Sequence, residues 1–134
     1  MSTTPAELTA GDLMSRRFLA VAPEDTLGEV AEKLAAANAG SALVLEYGRV
    51  TGILTSRDIL HAIAERVHPS EGRVREWMTA EPLTAAPDTP ADEAARLMLV
   101  GGFHHLPIAE DGRPLGVVGL RAVIGALRPG WPGF

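Results

Sequence analysis

The sequence predicts an α+β fold made of two β-α-β-β-α repeats that are related by a pseudo-two-fold axis. The main observation is an internal repeat, because residues 12–63 align with residues 76–127 without a gap at a shift of 64 positions. Two further observations, a capped helix and a pair of apolar runs around a turn, recur in both copies. Together they indicate a tandem duplication of one structural unit.

The first helix of each copy follows a short apolar stretch, which covers residues 18–21 or 83–86. Thr26 and Glu29 have the spacing of a capping box, in which each side chain bonds the backbone N–H of the other residue. In the second copy Thr89 precedes a proline and an acidic turn, which predicts an N-cap at Thr89. The first of these helices is expected to end near Asn38–Gly40, and the second is expected to end near Gly101–Gly102.

A β-hairpin and a second helix complete each copy. The apolar runs 42–45 and 50–54 enclose a turn that contains glycine, and the second copy repeats this pattern. In the helix that follows, Ile59, Leu60 and Ile63 form an apolar stripe. About 50 residues is marginal for an independent core, so the two copies are expected to pack together.

The repeat divides the chain into four segments. We expect a first repeat at 8–67, a connector at 68–75 and a second repeat at 76–128. The last segment, 129–134, is rich in proline and glycine and is predicted to be an irregular tail.

Composition excludes several classes of protein. The chain has 134 residues, a formal net charge of −5 and no cysteine. The acidic balance argues against a nucleic-acid partner, and the lack of thiols excludes disulfides and thiolate metal sites. No apolar run approaches the roughly 20 residues of a membrane helix, and no signal peptide is evident. A cytoplasmic protein without a membrane partner is therefore expected.

The two copies carry related motifs at the end of the hairpin. The first reads "GRVTGILTSRDIL" and the second reads "GRPLGVVGLRAVI", each preceded by an apolar strand, "SALVL" or "HHLPI". Over nearly its whole length the chain resembles the tandem cystathionine β-synthase (CBS) domain, also called the Bateman module. The resemblance implies one CBS pair with clefts between its repeats. It implies a regulatory and non-catalytic module that senses AMP, ADP or ATP, usually as a homodimer of such pairs.

The family's ribose-phosphate motif is matched in full by the first copy. The matching residues are Gly52, Ile53, Thr55 and Asp58, with Arg57 between the last two. An ionised aspartate accepts hydrogen bonds from ribose hydroxyls. The threonine hydroxyl and the helix N-terminus favour phosphate groups, and Arg57 adds a positive charge.

A structural interpretation of the same residues competes with the binding interpretation. Thr55 and Asp58 also have the spacing of a capping box. On spacing alone the cap is favoured, whereas the surrounding repeat favours nucleotide binding. The two interpretations are compatible, because a cap in the free protein can also contact a ligand.

The second copy lacks the polar side chains of the motif, since Gly119 and Ala122 replace the hydroxyl and the carboxylate. Arg121 remains. Each lost hydrogen bond to a charged group costs about 1.5–3 kcal/mol. We therefore expect one competent cleft per chain, and a second cleft that is empty or weak.

The family resemblance also implies where the adenine base lies. It implies base contacts from Leu83, Phe103 and His104 in the second copy. For His104 and His105 the competing interpretation is a pair of histidines at a strand end, one facing in and one facing out. A zinc site is disfavoured because adjacent residues of a strand point to opposite faces.

Two alternatives to a nucleotide sensor stay open. One is a ligand-free dimeric scaffold whose cleft is vestigial. The other is a module for S-adenosylmethionine, which keeps the ribose and lacks the phosphate. No pairing of nucleophile and base has a local signature, so we expect no enzymatic activity, no obligatory cofactor and no metal site.

Overall fold

The computed structural model describes residues 8–128, so the predicted tail lies outside the described residues. Within this range the helices are α1 (Ala10–Leu13), α2 (Leu27–Ala37), α3 (Ser56–Ala64), α4 (Val74–Trp77), α5 (Ala91–Gly101) and α6 (Leu120–Leu127). The strands are β1 (Leu19–Val21), β2 (Ser41–Glu46), β3 (Arg49–Thr55), β4 (Thr79–Ala80), β5 (His105–Glu110) and β6 (Arg113–Gly119). The predicted α+β class is confirmed, and the elements from β1 to α3 follow the predicted order.

The described chain divides into two compact units. The first-repeat unit is continuous and consists of Phe18–Pro82. Among the described residues, the second-repeat unit combines residues 8–17 with residues 83–128. These units cross the boundaries drawn from the repeat, because the segment that precedes each repeat packs with the other repeat.

The first-repeat unit contains a four-stranded sheet in the order β1-β2-β3-β4. Strands β1 and β2 are parallel, and the other neighbours are antiparallel. Apolar side chains of α2, α3 and α4 pack with those of the sheet into one core cluster. Leu34, Val44, Leu54 and Val74 are among its buried members. Strand β3 therefore lies inside the sheet, with hydrogen-bonded neighbours on both sides.

The second-repeat unit contains the hairpin β5–β6, which is flanked by single bridges. Ala85 bridges Ile108 in parallel, and Ser15 bridges Val117 in antiparallel fashion. At the shift of 64 positions these bridges match the β1–β2 and β3–β4 pairs. The second sheet thus repeats the strand pairing of the first, but each of its two edge strands is reduced to a single bridge.

The strand predicted at 83–86 is reduced to the bridge at Ala85, and Pro107 accounts for the loss. The Ala85 N–H donates to the Pro107 carbonyl, and the Ala109 N–H donates to the Ala85 carbonyl, both at 3.0 Å. Extension of this ladder to Leu83 requires an N–H at position 107, which proline lacks. The matching residue of β2 is Leu43, which has one.

The capping predictions have different outcomes in the two copies. Thr26 caps α2, and its Oγ1 accepts the Glu29 N–H at 3.1 Å as predicted. The prediction for Thr89 is wrong, because Pro90 is the N-cap of α5 and makes no side-chain cap bond. The Ala91 N–H instead donates to the Leu8 carbonyl at 2.8 Å. The segment before the first repeat thus takes the place of a capping side chain on α5.

Candidate ligand-binding site

The predicted ligand motif lies where β3 runs directly into α3. Thr55 is the last residue of β3 and also the N-cap of α3. Gly52 and Ile53 are buried within the strand, and Thr55 is half-buried at its end. Because β3 is paired on both sides, the sheet holds the first turn of α3 in a defined position.

Thr55 and Asp58 form a capping box, so the structural interpretation of their spacing is confirmed. The Thr55 N–H donates to Asp58 Oδ2 at 2.8 Å, and the Thr55 hydroxyl donates to the same oxygen at 3.0 Å. The Asp58 N–H donates to Thr55 Oγ1 at 3.3 Å. The carboxylate is thereby oriented by its own helix.

The capping box leaves one carboxylate oxygen available. Within residues 8–128 the hydrogen bonds that Asp58 accepts both end on Oδ2, and Oδ1 accepts none. Asp58 is half-buried, whereas Arg57 beside it is exposed. The Ser56 N–H donates to the Gly40 carbonyl at 3.0 Å. This arrangement presents an oriented anionic acceptor next to a cation, which suits a ligand carrying both hydroxyl and phosphate groups.

The repeated glycine of the motif has a packing role. A Cβ atom on Gly52 would lie 2.5 Å from the Met78 sulfur and 3.2 Å from the Thr79 carbonyl oxygen. A Cβ atom on Gly116 would lie 2.7 Å from the Met14 sulfur. Both copies therefore favour glycine, because a methionine and the adjoining backbone of the segment that leads into the other repeat pack against this strand. A ligand contact by Gly52 stays a prediction.

The matching site of the second copy keeps the backbone and lacks the side chains. Gly119 is the N-cap of α6 and makes no side-chain cap bond. The Leu120 N–H donates to the His104 carbonyl at 2.9 Å, as Ser56 does at the equivalent position of the first copy. Ala122 is exposed on the first turn. The two sites thus differ in chemistry rather than in backbone path.

The predicted site residues are distributed over both units. Gly52, Ile53, Thr55, Arg57 and Asp58 come together at the start of α3, whereas the three predicted base contacts belong to the second-repeat unit. Leu83 and His104 are exposed there, and Phe103 is half-buried against that unit's core.

His105 is a titratable residue whose environment the sequence left open. It is half-buried at the start of β5, opposite Gly119. Burial lowers its pKa, and the neighbouring imidazole of His104 lowers it further. His104, which directly precedes β5, is exposed. In the described part of the chain no three His, Asp or Glu side chains lie together as metal ligands would.

A groove of about 450 Å³ lies beside the motif, between α2 and α3. Its lining includes five small residues, Ala31, Ala35, Ala39, Gly40 and Ser56. The sequence did not predict this groove, although the signal was present. Several of these small residues correspond to larger ones in the second copy.

Comparison with known proteins identifies the family. The family model for the CBS domain matches residues 10–65 and again residues 74–129. The chain belongs to the CBS domain family. It contains a tandem CBS pair, as the resemblance of the two motifs implied. The CBS domain-containing protein CBSCBSPB1 of Arabidopsis thaliana is 38% identical over 104 residues. That match covers 76% of this chain, and the chain spans only 19% of the Arabidopsis protein.

The solved structures that resemble this chain include complexes with adenosine-containing ligands. The CBS domain pair of protein MJ0100, in complex with 5′-methylthioadenosine and S-adenosyl-L-methionine, has a TM-score of 0.79 and 26% identity, covering 87% of this chain and 92% of that one. The cytosolic domain of the Mg²⁺ channel MgtE, in complex with ATP, has a TM-score of 0.74 and 34% identity. It covers 88% of this chain and 48% of that one. Within residues 8–128, no helix of the present chain has the length and apolar character needed to span a bilayer.

Proposed function

We propose that this CBS pair is a cytoplasmic, homodimeric regulatory module, without catalytic activity of its own, that binds AMP, ADP or ATP. The observation that carries the proposed binding is the state of Asp58. Its Oδ2 is held by the capping box, and its Oδ1 is left for a ligand donor. The ribose of an adenosine compound supplies such donors as neighbouring hydroxyl groups.

Each motif residue has a role in this proposal. Asp58 accepts hydrogen bonds from the ribose, and Thr55 keeps the carboxylate in position. Arg57 and the N-terminus of α3 interact with the phosphate groups. Contacts of the base with Leu83, Phe103 and His104 stay predictions of the family resemblance.

A second candidate ligand is S-adenosylmethionine. The relative MJ0100 is described in complex with that compound and with 5′-methylthioadenosine, whereas the MgtE domain is described in complex with ATP. All three compounds contain the ribose that Asp58 is proposed to bind. Arg57 favours the nucleotides in this chain, because their phosphate groups offer an anionic partner to a cation beside the ribose contact.

Isothermal titration of the full chain with AMP, ADP, ATP and S-adenosylmethionine tests the proposal. We expect one ligand per chain, and Asp58→Ala should weaken binding about ten- to a hundred-fold. Glu29→Ala is the matched control, since it removes the carboxylate of another Thr-based capping box in the same unit. That variant should bind as the wild type does.

Three results would contradict parts of this proposal. Absence of binding for all four compounds would favour the ligand-free scaffold. Equal binding by wild type and Asp58→Ala would place the site elsewhere. Two ligands per chain would show that the second copy is competent without its threonine and aspartate.

A further inference from the structure

The sulfur atoms of this chain all belong to methionine, because the chain has four methionines and no cysteine. Among those that the structure describes, Met98 is fully buried in the core of the second-repeat unit. Met14 and Met78 are half-buried, so part of each residue meets solvent. Susceptibility of sulfur to oxidants in water increases with exposure. Met14 and Met78 are therefore the described positions where such an oxidant reaches sulfur most readily.

Met78 connects two elements that flank the ligand motif. It is the C-cap of α4, where its N–H donates to the Val74 carbonyl at 2.9 Å, and it directly precedes β4. Strand β4 pairs with β3, and α4 packs against both α3 and β3. The Met78 side chain packs against the core of the first-repeat unit. Residues 74–80, which we call the α4–β4 segment, are thus held against the strand and the helix that carry the motif.

The sulfur of Met78 occupies the space beside Gly52. A Cβ atom on Gly52 would lie only 2.5 Å from that sulfur, so an oxygen atom added on the strand side has no room. An oxygen added on the opposite side gives the sulfur a strong hydrogen-bond acceptor, which is more stable in water than against an apolar core. Both positions of the oxygen therefore favour withdrawal of the side chain from β3.

We propose that Met78 is a site of reversible oxidation by hydroperoxides, and that its sulfoxide releases the α4–β4 segment from β3. Binding of the adenosine compound is weakened as a result. This last effect rests on the proposed function, because it requires the ligand to bind at Thr55 and Asp58. The release of the segment does not depend on any ligand, so the two effects are measured separately.

The modification transfers one oxygen atom from the peroxide to the thioether. The sulfur lone pair attacks one peroxide oxygen, the O–O bond breaks and an S–O bond forms. With hydrogen peroxide, the proton of the transferred oxygen passes to the departing hydroxide, which leaves as water. The thioether loses two electrons, and the peroxide gains them. Methionine sulfoxide reductases reverse the change, with two electrons and two protons from a thiol reductant and release of water.

The pairing of β3 indicates which neighbour is lost. Six residue pairs join β3 to β2, and two join it to β4. The α4–β4 segment therefore yields before β3 leaves β2. Strand β3 then has a neighbour on one side along Gly52 and Ile53. Because β3 continues directly into α3 at Thr55, the loss of one flank makes the position of the Asp58 carboxylate less defined.

Met14 provides an internal comparison in the second-repeat unit. A Cβ atom on Gly116 would lie 2.7 Å from the Met14 sulfur, so the same contact occurs beside β6. That strand leads to Gly119 and Ala122, which lack the hydroxyl and the carboxylate of the motif. Oxidation of Met14 therefore acts on a strand without the motif's polar side chains, whereas oxidation of Met78 acts on the strand that carries them.

Peptide mass spectrometry after graded treatment of the full chain with hydrogen peroxide tests the modification. We expect Met14 and Met78 to gain one oxygen atom each while Met98 stays unmodified and circular dichroism shows a folded chain. A Met78 that gains oxygen only together with Met98 would overturn the proposal, because that pattern means that oxidation follows unfolding.

Amide hydrogen exchange tests the release of the segment. The Glu81 N–H donates to the Thr51 carbonyl at 3.0 Å, next to the last pair of β3 with β4, so its exchange measures opening of this edge. Exchange at Glu81 should be at least about ten-fold faster in the oxidised chain, whereas exchange in β2 should change less. Treatment with methionine sulfoxide reductases A and B should restore the slow rate. Equal exchange in the oxidised and reduced chains would contradict the release.

Three variants assign the effect to one sulfur. Met78→Leu keeps an apolar side chain of similar size, so peroxide should no longer accelerate exchange at Glu81. Met14→Leu is the matched control and should respond as the wild type does. Met78→Gln places a polar group at this position and should show fast exchange without peroxide. A Met78→Leu chain that responds to peroxide like the wild type would assign the effect to another residue and overturn the proposal.

Isothermal titration separates this proposal from the proposed function. Oxidised wild type should bind the adenosine compound about ten-fold more weakly than reduced wild type, and oxidised Met78→Leu should retain most of its affinity. If the reduced chain binds none of the compounds, the proposed function fails, while the exchange result still decides the release of the segment. If exchange accelerates and the affinity stays equal, the link between the segment and the ligand site is wrong.

Discussion

Thr55 combines a structural bond with the proposed binding contact, and the structural part can be measured alone. Its Oγ1 accepts the Asp58 N–H and donates to the Asp58 carboxylate. We expect Thr55→Ala to lower the free energy of unfolding by about 1 kcal/mol, because an N-cap side chain is lost. Thr55→Ser should retain most of that free energy. Urea denaturation without ligand measures both, and equal midpoints for wild type and Thr55→Ala would contradict a stabilising cap.

His105 predicts a pH dependence of stability. Its pKa is lowered in the folded protein, first by burial and then by His104, so the unfolded chain binds a proton more readily. The free energy of unfolding should therefore decrease as the pH falls below the ordinary histidine value of about 6.5. Urea denaturation at about pH 7.5 and about pH 5.5, on either side of that value, should show a smaller decrease for His105→Gln than for wild type. An equal decrease in both would assign the effect to other groups.

Local sequence spacing predicted the hydrogen bonds of the capping boxes, but it did not predict the close contact between Met78 and Gly52. Thr26 with Glu29 and Thr55 with Asp58 are three residues apart, and both pairs bond as the sequence indicated. The approach of Met78 to Gly52 joins residues 26 positions apart and depends on the pairing of β3 with β4. The repetition of this glycine as Gly116 indicated that the position requires a small residue, but it did not indicate that a methionine packs there.

Helix α6 offers a place to rebuild what the second copy lacks. Gly119 has an extended backbone, and a Cβ atom there would meet nothing within 4 Å. Gly119→Thr combined with Ala122→Asp should therefore add a capping box and raise the free energy of unfolding by about 1 kcal/mol. Gly119→Ala is the control, because it gives the same loss of backbone freedom without a hydroxyl group. Urea denaturation compares the two variants, and equal midpoints would show that no capping box forms.

The same double variant also tests whether a capping box at the start of α6 is enough to create a second ligand site. If the proposed function holds, titration should show a rise from one ligand per chain toward two. A stability gain without a second ligand would mean that the cap alone is insufficient for binding in the second copy.

The order of the elements was predicted from periodicity, but the length of an edge strand was not. The pattern at 83–86 resembles that at 18–21, where β1 forms a three-residue strand. In the second copy one residue on the neighbouring strand, Pro107, ends the ladder after Ala85. Edge strands depend on donors supplied by their neighbours, so a local pattern cannot determine their extent.

The exchange of leading segments between the units predicts which half of the molecule depends on the N-terminus. Ala10 is fully buried in the core of the second-repeat unit, and its N–H donates to the Thr89 carbonyl at 2.7 Å. Deletion of residues 1–17 should accelerate amide hydrogen exchange in β5 and β6 more than in β2 and β3. A loss of protection confined to β2 and β3 would contradict the assignment of this segment.

The duplication was visible from sequence comparison, whereas the membership of the two units was not. Residues 12–63 and 76–127 align as repeats, yet the segments around Ala10 and Val74 each pack with the copy that they do not lead into. Both segments are short helices with similar residues, so their local pattern is compatible with either unit. Only the long-range hydrogen bonds of the folded chain assign them.

In this exchange each leading helix packs with the other repeat, as in a domain swap. Here the two exchanging repeats belong to one chain, so the swap is intramolecular. A chain with one repeat and its own leading helix would lack that helix in its own core, and would have to borrow it from another molecule. Duplication turns the borrowed helix into an intramolecular one and removes its dependence on concentration. A fragment of residues 18–82 therefore contains the whole first-repeat unit. A fragment cut at the repeat boundaries lacks the short helix that packs into its core.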